Sequence, residues 1–181
     1  MIGEFVVGPI VAEDIVHFHG GEPAIAYIRD FFNQYHVLGE TFETSVSWNR
    51  IHQLCQNVKK GLEEKCADYH VPGKPFLSYR VTQTYHTGVC VYFTMGLYTK
   101  GLDKPDEVFS QIERHLRQII LDNGGSLSHH HGVGKIRQSF LPQIQSIASI
   151  QFLQNCKRAI DPKNVFGIRN GAFDSSLSFM V

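Results

Sequence analysis

Leu77-Ser78-Tyr79-Arg80-Val81-Thr82-Gln83-Thr84-Tyr85-His86-Thr87-Gly88-Val89-Cys90-Val91-Tyr92-Phe93-Thr94-Met95-Gly96-Leu97-Tyr98 is the stretch that decides the fold. Residues 77–84 and 89–98 are rich in β-branched and aromatic side chains, and Tyr85-His86-Thr87-Gly88 lies between them. That pattern predicts an antiparallel hairpin. Side chains alternate along a strand, so Val89, Val91, Phe93 and Met95 share one face while Cys90, Tyr92 and Thr94 share the other. Tyr92 therefore projects from the more polar face. The turn length leaves the register open, and with it the residue opposite Tyr92.

Outward from the hairpin, residues 41–47 alternate in the same way and predict a further strand. Apolar spacings of three and four predict helices over residues 24–38, 49–66, 105–122 and 143–160. Gly39 is the expected stop of the first and Ser47 the expected cap of the second. A short strand is expected at residues 5–11. The elements alternate, but the clear strand pair is a hairpin. An α+β fold follows, with an antiparallel sheet, helices packed on one face and further helices at the C-terminal end.

The chain of 181 residues has 17 basic and 17 acidic side chains. That balance gives no sign of a nucleic-acid stripe or a membrane-surface patch. The four cysteines, Cys55, Cys66, Cys90 and Cys156, form no Cys-x-x-Cys pair and read as free thiols. Met1-Ile2-Gly3-Glu4 has no basic n-region, and Phe179-Met180-Val181 is not a Ser-Lys-Leu address, so no targeting signal is visible.

The most unusual segment is Gly124-Gly125-Ser126-Leu127-Ser128-His129-His130-His131-Gly132-Val133-Gly134-Lys135. Glycines let backbone N–H groups approach a ligand, and Lys135 and Arg137 add positive charge. The loop suits a phosphate or another anion, and its imidazoles can move protons near neutral pH. A solvated loop is the competing reading. A metal site lacks an evident spaced third ligand, and no metal is expected. Tyr92 reads either as a structural rim tyrosine or as an acid/base. Arg29 reads as a snorkelling side chain or an anion clamp, and Arg80 as a paired residue or one lining a polar cleft. No Gly-x-Gly-x-x-Gly, Walker loop or nucleophile elbow is present.

Several stretches resemble the alkyldihydroxyacetonephosphate synthases (alkylglycerone-phosphate synthases). They are Ala26-Tyr27-Ile28-Arg29-Asp30, Gly39-Glu40-Thr41-Phe42-Glu43-Thr44-Ser45, Arg80-Val81-Thr82-Gln83-Thr84-Tyr85 and the Asn123–Lys135 run, continuing through Asp161-Pro162, Asn164, Phe166-Gly167 and Arg169-Asn170. The resemblance implies the cap domain of a vanillyl-alcohol-oxidase type flavoprotein, with FAD as cofactor. It implies a transferase that exchanges the acyl chain of acyl-dihydroxyacetone phosphate for a long-chain fatty alcohol, forming the ether bond of ether lipids in the peroxisome. Tyr92 matches the catalytic acid/base, Arg29 the substrate-binding arginine, and His129, His130 and His131 the histidine tract. Arg80, Lys135, Arg169 and Asn170 are accessory candidates.

On this reading residues 1–21 are a divergent segment, 22–170 the substrate-binding cap region and 171–181 an unrelated tail. The FAD-binding domain is expected to be absent, so most of the cofactor site is missing and the chain alone is expected to be inactive. The alternative is an inactive paralogue or isoform that pairs with the full-length enzyme. Homo-oligomers are the other expected assembly, and no nucleic-acid partner is expected.

Overall fold

A computed structural model describes residues 29–166 and 170–173. The chain divides into two compact units, Met1–His129 and His130–Val181. The strand expected at residues 5–11 lies outside the described residues, as does Arg169. No described helix is long and apolar enough to cross a membrane.

The first unit is a three-stranded antiparallel sheet in the order β1-β3-β2, with β1 at Val37–Ser47, β2 at Phe76–Thr84 and β3 at Gly88–Tyr98. Helix α1 spans Ile51–Asp68 between β1 and β2, and α2 spans Pro105–Asp122 after β3. Phe42, Val46, Val89, Val91, Phe93 and Met95 form one sheet face and pack with Leu54, Val58 and Leu62 of α1 and Ile112, Leu116 and Ile120 of α2. The rings of Phe42 and Phe93 stack at 5.0 Å across the β1–β3 pair. The helices thus cover one face of the sheet, as the hydrophobic patterns require.

Gly61 sets the closeness of the two helices, because a Cβ there would lie 2.1 Å from Ile119 Cδ1. Within α2, Glu113 and Arg117 are buried as an ion pair one turn apart, and the Arg117 guanidinium lies over the Phe42 ring at 5.8 Å. The apolar spacing of three and four that predicts this helix gives no sign of the pair.

Three local expectations need correction. Residues 29–33 are helical, but the helix does not reach residue 38. His36 takes a positive φ of 60°, and its carbonyl accepts from the Thr99 N–H and hydroxyl at 2.7 and 3.0 Å. That tether starts β1 at Val37, so Gly39 sits inside a strand instead of stopping a helix. Ser47 does not cap α1: its hydroxyl donates to Asn49 Oδ1, and Arg50 occupies the cap position without a side-chain bond.

In the second unit the continuous helix expected over residues 143–160 is broken. A short helix α3, Leu141–Ile144, ends at an extended Gln145, and α4 runs Ile147–Ile160. Ser146 caps α4 by accepting the Ser149 N–H, which a helix running through position 146 would forbid. Leu141, Ile150 and Ala172 form a small core here.

Candidate active site

The register settles what faces Tyr92. Tyr92 pairs with Arg80 on β2 and with Glu43 on β1. An irregularity between Val81 and Gln83 inserts Thr82 into β2 and moves the pairing by one residue. Cross-strand partners share a face, so Arg80, Tyr92 and Glu43 form a row across the polar side of the sheet. The Arg80 guanidinium lies 5.5 Å from the centre of the Tyr92 ring, a cation–π contact. The Tyr92 hydroxyl donates to Thr41 Oγ1 at 3.0 Å.

The Gly-rich segment after α2 then runs along the free edge of β1. Its turn is built by Gly124, whose φ is +76°, and by Gly125, whose N–H reaches the Ile120 carbonyl at 2.8 Å. Such a turn satisfies the last carbonyls of a helix. Ser126 and Ser45 exchange backbone and hydroxyl bonds: Ser126 N–H donates to the Ser45 carbonyl at 2.9 Å, and Ser45 N–H and Oγ both meet Ser126 Oγ at 2.9 Å. Thr44 Oγ1 donates to the Ser126 carbonyl at 2.8 Å.

Two residues further on, Ser128 and His129 reach Glu43. Glu43 is fully buried; Oε1 accepts the Ser128 hydroxyl at 2.7 Å and Oε2 accepts the His129 N–H at 2.5 Å. The His129 imidazole meets the Tyr85 hydroxyl through Nε2 at 2.6 Å. Cys90 Sγ lies within 4.8 Å of a His129 ring nitrogen.

The first unit therefore has two contact sets, Arg80–Tyr92–Thr41 and Glu43–His129–Tyr85, joined by the Tyr92–Glu43 strand pairing. Arg29 lies elsewhere. It is exposed and sits 4.0 Å from Glu40, whose partner Met95 is in the helix-covered core. It borders a cavity of about 280 Å³ that Asn33, Leu38, Phe109 and Ser110 also line. In the second unit the His130 and His131 rings meet edge to face at 4.4 Å. Lys135 is exposed in the loop that Arg137 Nη1 pins by donating to the Gly132 carbonyl at 2.9 Å. Asn170 is exposed, and its carbonyl accepts the Phe173 N–H.

Sequence reasoning missed Glu43, Thr41 and Tyr85. Alternation placed Thr41 and Glu43 opposite Phe42, hence on the Tyr92 side of a paired sheet, but gave no sign that a remote loop buries Glu43. Tyr85 carried only a turn signal.

This arrangement is that of a sheet platform presenting a phenol, a guanidinium and an imidazole. Residues 19–168 match the family described as FAD linked oxidases, C-terminal domain, and the chain belongs to that family. Among relatives, an alkyldihydroxyacetonephosphate synthase of Caenorhabditis elegans is 42% identical over 147 residues, 81% of this chain and 25% of that protein. One of the same name from Dictyostelium discoideum is 28% identical over 141 residues, covering 78% of this chain and 23% of the relative. A solved alkyldihydroxyacetonephosphate synthase structure shares the fold with a TM-score of 0.54 at 24% identity, over 77% of this chain and 22% of that one. The chain thus spans about a quarter of the length of the curated relatives it matches.

The chemistry of the described residues fits the ring end of FAD and not its phosphates. Gly124 and Gly125 are not an open phosphate cradle: added Cβ atoms would lie 2.1 Å from Arg50 Nη1 and 2.7 Å from Ile120 Cγ2. Those glycines serve chain packing. Arg80, Tyr92 and His129 instead offer the cation, ring and imidazole that suit the flavin ring and a substrate beside it.

Proposed function

We propose that this chain carries the substrate-facing part of an ether-forming transferase of the alkyldihydroxyacetonephosphate synthase type. The exchange replaces the carboxylate of acyl-dihydroxyacetone phosphate with a long-chain fatty alcohol, with no net oxidation. The observation that supports this most is the Arg80–Tyr92–Glu43 row, with His129 anchored at its end. FAD, when bound, would supply an electrophilic ring system to this exchange.

Tyr92 removes and returns the C1 proton, which is acidified by the neighbouring ketone. Its O–H bond to Thr41 fixes where the phenol points, and Arg80 above the ring favours negative charge on the phenol during proton transfer. The alcohol gives up one proton and the departing carboxylate gains one, so the proton count balances. His129, His130 and His131 are assigned to the same reaction on the resemblance alone. On the same ground, Arg29 is assigned to substrate binding, with Arg80, Lys135, Arg169 and Asn170 as accessory candidates. A peroxisomal setting for the reaction is part of this proposal and rests on the resemblance alone.

The test replaces the matching segment of the Caenorhabditis elegans relative with residues 24–170. The flavin-loaded chimera is expected to form alkyl product from acyl substrate and fatty alcohol. Tyr92→Phe is expected to lower turnover by about 10²-fold or more, the usual contribution of a positioned acid/base. A loaded, folded chimera that forms no ether product, or one indifferent to Tyr92→Phe, overturns the reading.

A further inference from the structure

Tyr85 is 42% exposed, yet it is held at three points. Its N–H donates to the Gly88 carbonyl at 2.8 Å, and its carbonyl accepts the Trp48 indole N–H at 2.9 Å. Its hydroxyl lies 2.6 Å from His129 Nε2. Gly88 in turn is wedged on β1, since a Cβ there would lie 2.4 Å from the Val46 carbonyl oxygen. The other side of the contact is equally fixed, because the His129 N–H is bound to buried Glu43. A surface tyrosine that merely covers a neighbour needs none of these restraints.

We propose that Tyr85 is a positioning residue of this site, its phenol fixing the His129 imidazole so that Nε2 accepts and Nδ1 carries the proton. A phenol is a stronger hydrogen-bond acid than a neutral imidazole N–H, and a neutral imidazole nitrogen is the better acceptor. The contact is therefore O–H···N. In that tautomer both ring nitrogens of His129 are committed, Nε2 to the phenol and Nδ1 to its proton, so the imidazole has no lone pair left to abstract a proton. Resting on the transferase reading, His129 serves the acyl substrate as a hydrogen-bonding group of fixed tautomer and not as a base.

The first readout needs no turnover. The 181-residue chain is labelled with ¹⁵N-histidine and studied at about pH 8.5, where an imidazole is ordinarily neutral. His129→Gln assigns the resonances among the ten histidines. His129 is expected in the Nδ1–H form in the wild type and to move toward the Nε2–H form in Tyr85→Phe, with circular dichroism unchanged. A wild-type Nε2–H tautomer overturns the inference even if the variant fails to fold. So does a tautomer that Tyr85→Phe leaves alone.

The second readout is the chimera. Tyr85→Phe is expected to raise the KM for acyl substrate on the order of tenfold, the effect of one hydrogen bond to a charged group. It is expected to add nothing on a His129→Gln background. Additive losses overturn the positioning role. An inactive chimera with the tautomer as stated refutes the transferase reading and leaves the Tyr85–His129 assignment standing.

Discussion

Glu43 and Ser128 are 85 positions apart, yet the Ser128 hydroxyl donates to the fully buried Glu43 carboxylate at 2.7 Å. The same carboxylate takes the His129 N–H, so it fastens the loop that presents the imidazole. Removing it takes two charge-assisted hydrogen bonds from the loop, each worth more than a neutral one. Glu43→Ala is expected to lose about 1–3 kcal/mol of stability in urea unfolding. It is also expected to release the His129 amide to hydrogen exchange before the β1–β3 pair exchanges. Unchanged protection at His129 would show that other contacts hold the loop.

Gly125 makes a related prediction from shape alone. A Cβ there would meet Ile120 Cγ2 and Thr44 Oγ1 at 2.7 Å and the Ile120 carbonyl at 3.0 Å. Part of that wall is backbone and cannot swing away, so Gly125→Ala is expected to cost about 1–3 kcal/mol by overpacking. Gly132→Ala is the control, with nothing within 4 Å of its added carbon. It is expected to stay within about 0.5 kcal/mol of wild type. Urea midpoints of the two variants decide the matter.

The hairpin and its two faces were legible because alternation is a local signal: Val89, Val91, Phe93 and Met95 are all buried, as the pattern demands. The partner of Tyr92 was not, because the bulge at Thr82 shifts the count by one and leaves no mark in composition. The end of the first helix depended on Thr99 reaching back to the His36 carbonyl, a contact across 63 positions. The histidine tract stood out by residue type, but its anchoring to Glu43 is a matter of tertiary packing that no local pattern encodes. Arg29 and Arg80 illustrate the same limit. Arg29 reads from sequence as a snorkelling side chain or an anion clamp and Arg80 as a paired residue or one lining a polar cleft; the strand register put Arg80 beside Tyr92, while Arg29 stands next to Glu40.

Thiol chemistry should separate the cysteines. Cys55, Cys66 and Cys90 are buried and Cys156 is exposed. Burial pushes the Cys55 thiol up to about 12 and the Cys66 thiol up to about 11. The thiolate is the reactive form, so at about pH 8 those two are inert in the folded chain. An aromatic disulfide reagent is expected to titrate Cys156 rapidly and the other three only after denaturant is added. Cys156→Ser should abolish the fast phase. A fast phase that survives this substitution would show that the α1 face opens on the timescale of the assay.

Acid should loosen the end of α4 through Asp161. Its carboxylate is hydrogen-bonded by the Lys157 ammonium and by the Phe166 and Val165 N–H groups, and these together hold it down to about 2. An unfolded aspartate titrates near 3.9. A carboxyl whose folded value is depressed contributes stability that is complete above the unfolded value and lost as pH falls through the folded one. The loss therefore falls between about pH 4 and pH 2. Asp161→Asn cannot accept the same charge-assisted bond from Lys157 and should remove this part of the acid transition. Carboxyl titration by NMR is expected to show Asp161 still ionised at pH 3, with the Val165 and Phe166 amides shifting only below that. If Asp161 instead protonates near pH 4, the Lys157 contact is too transient in solution to hold it, and the helix end owes its position to the packing of Ile150 against Leu141 and Ala172.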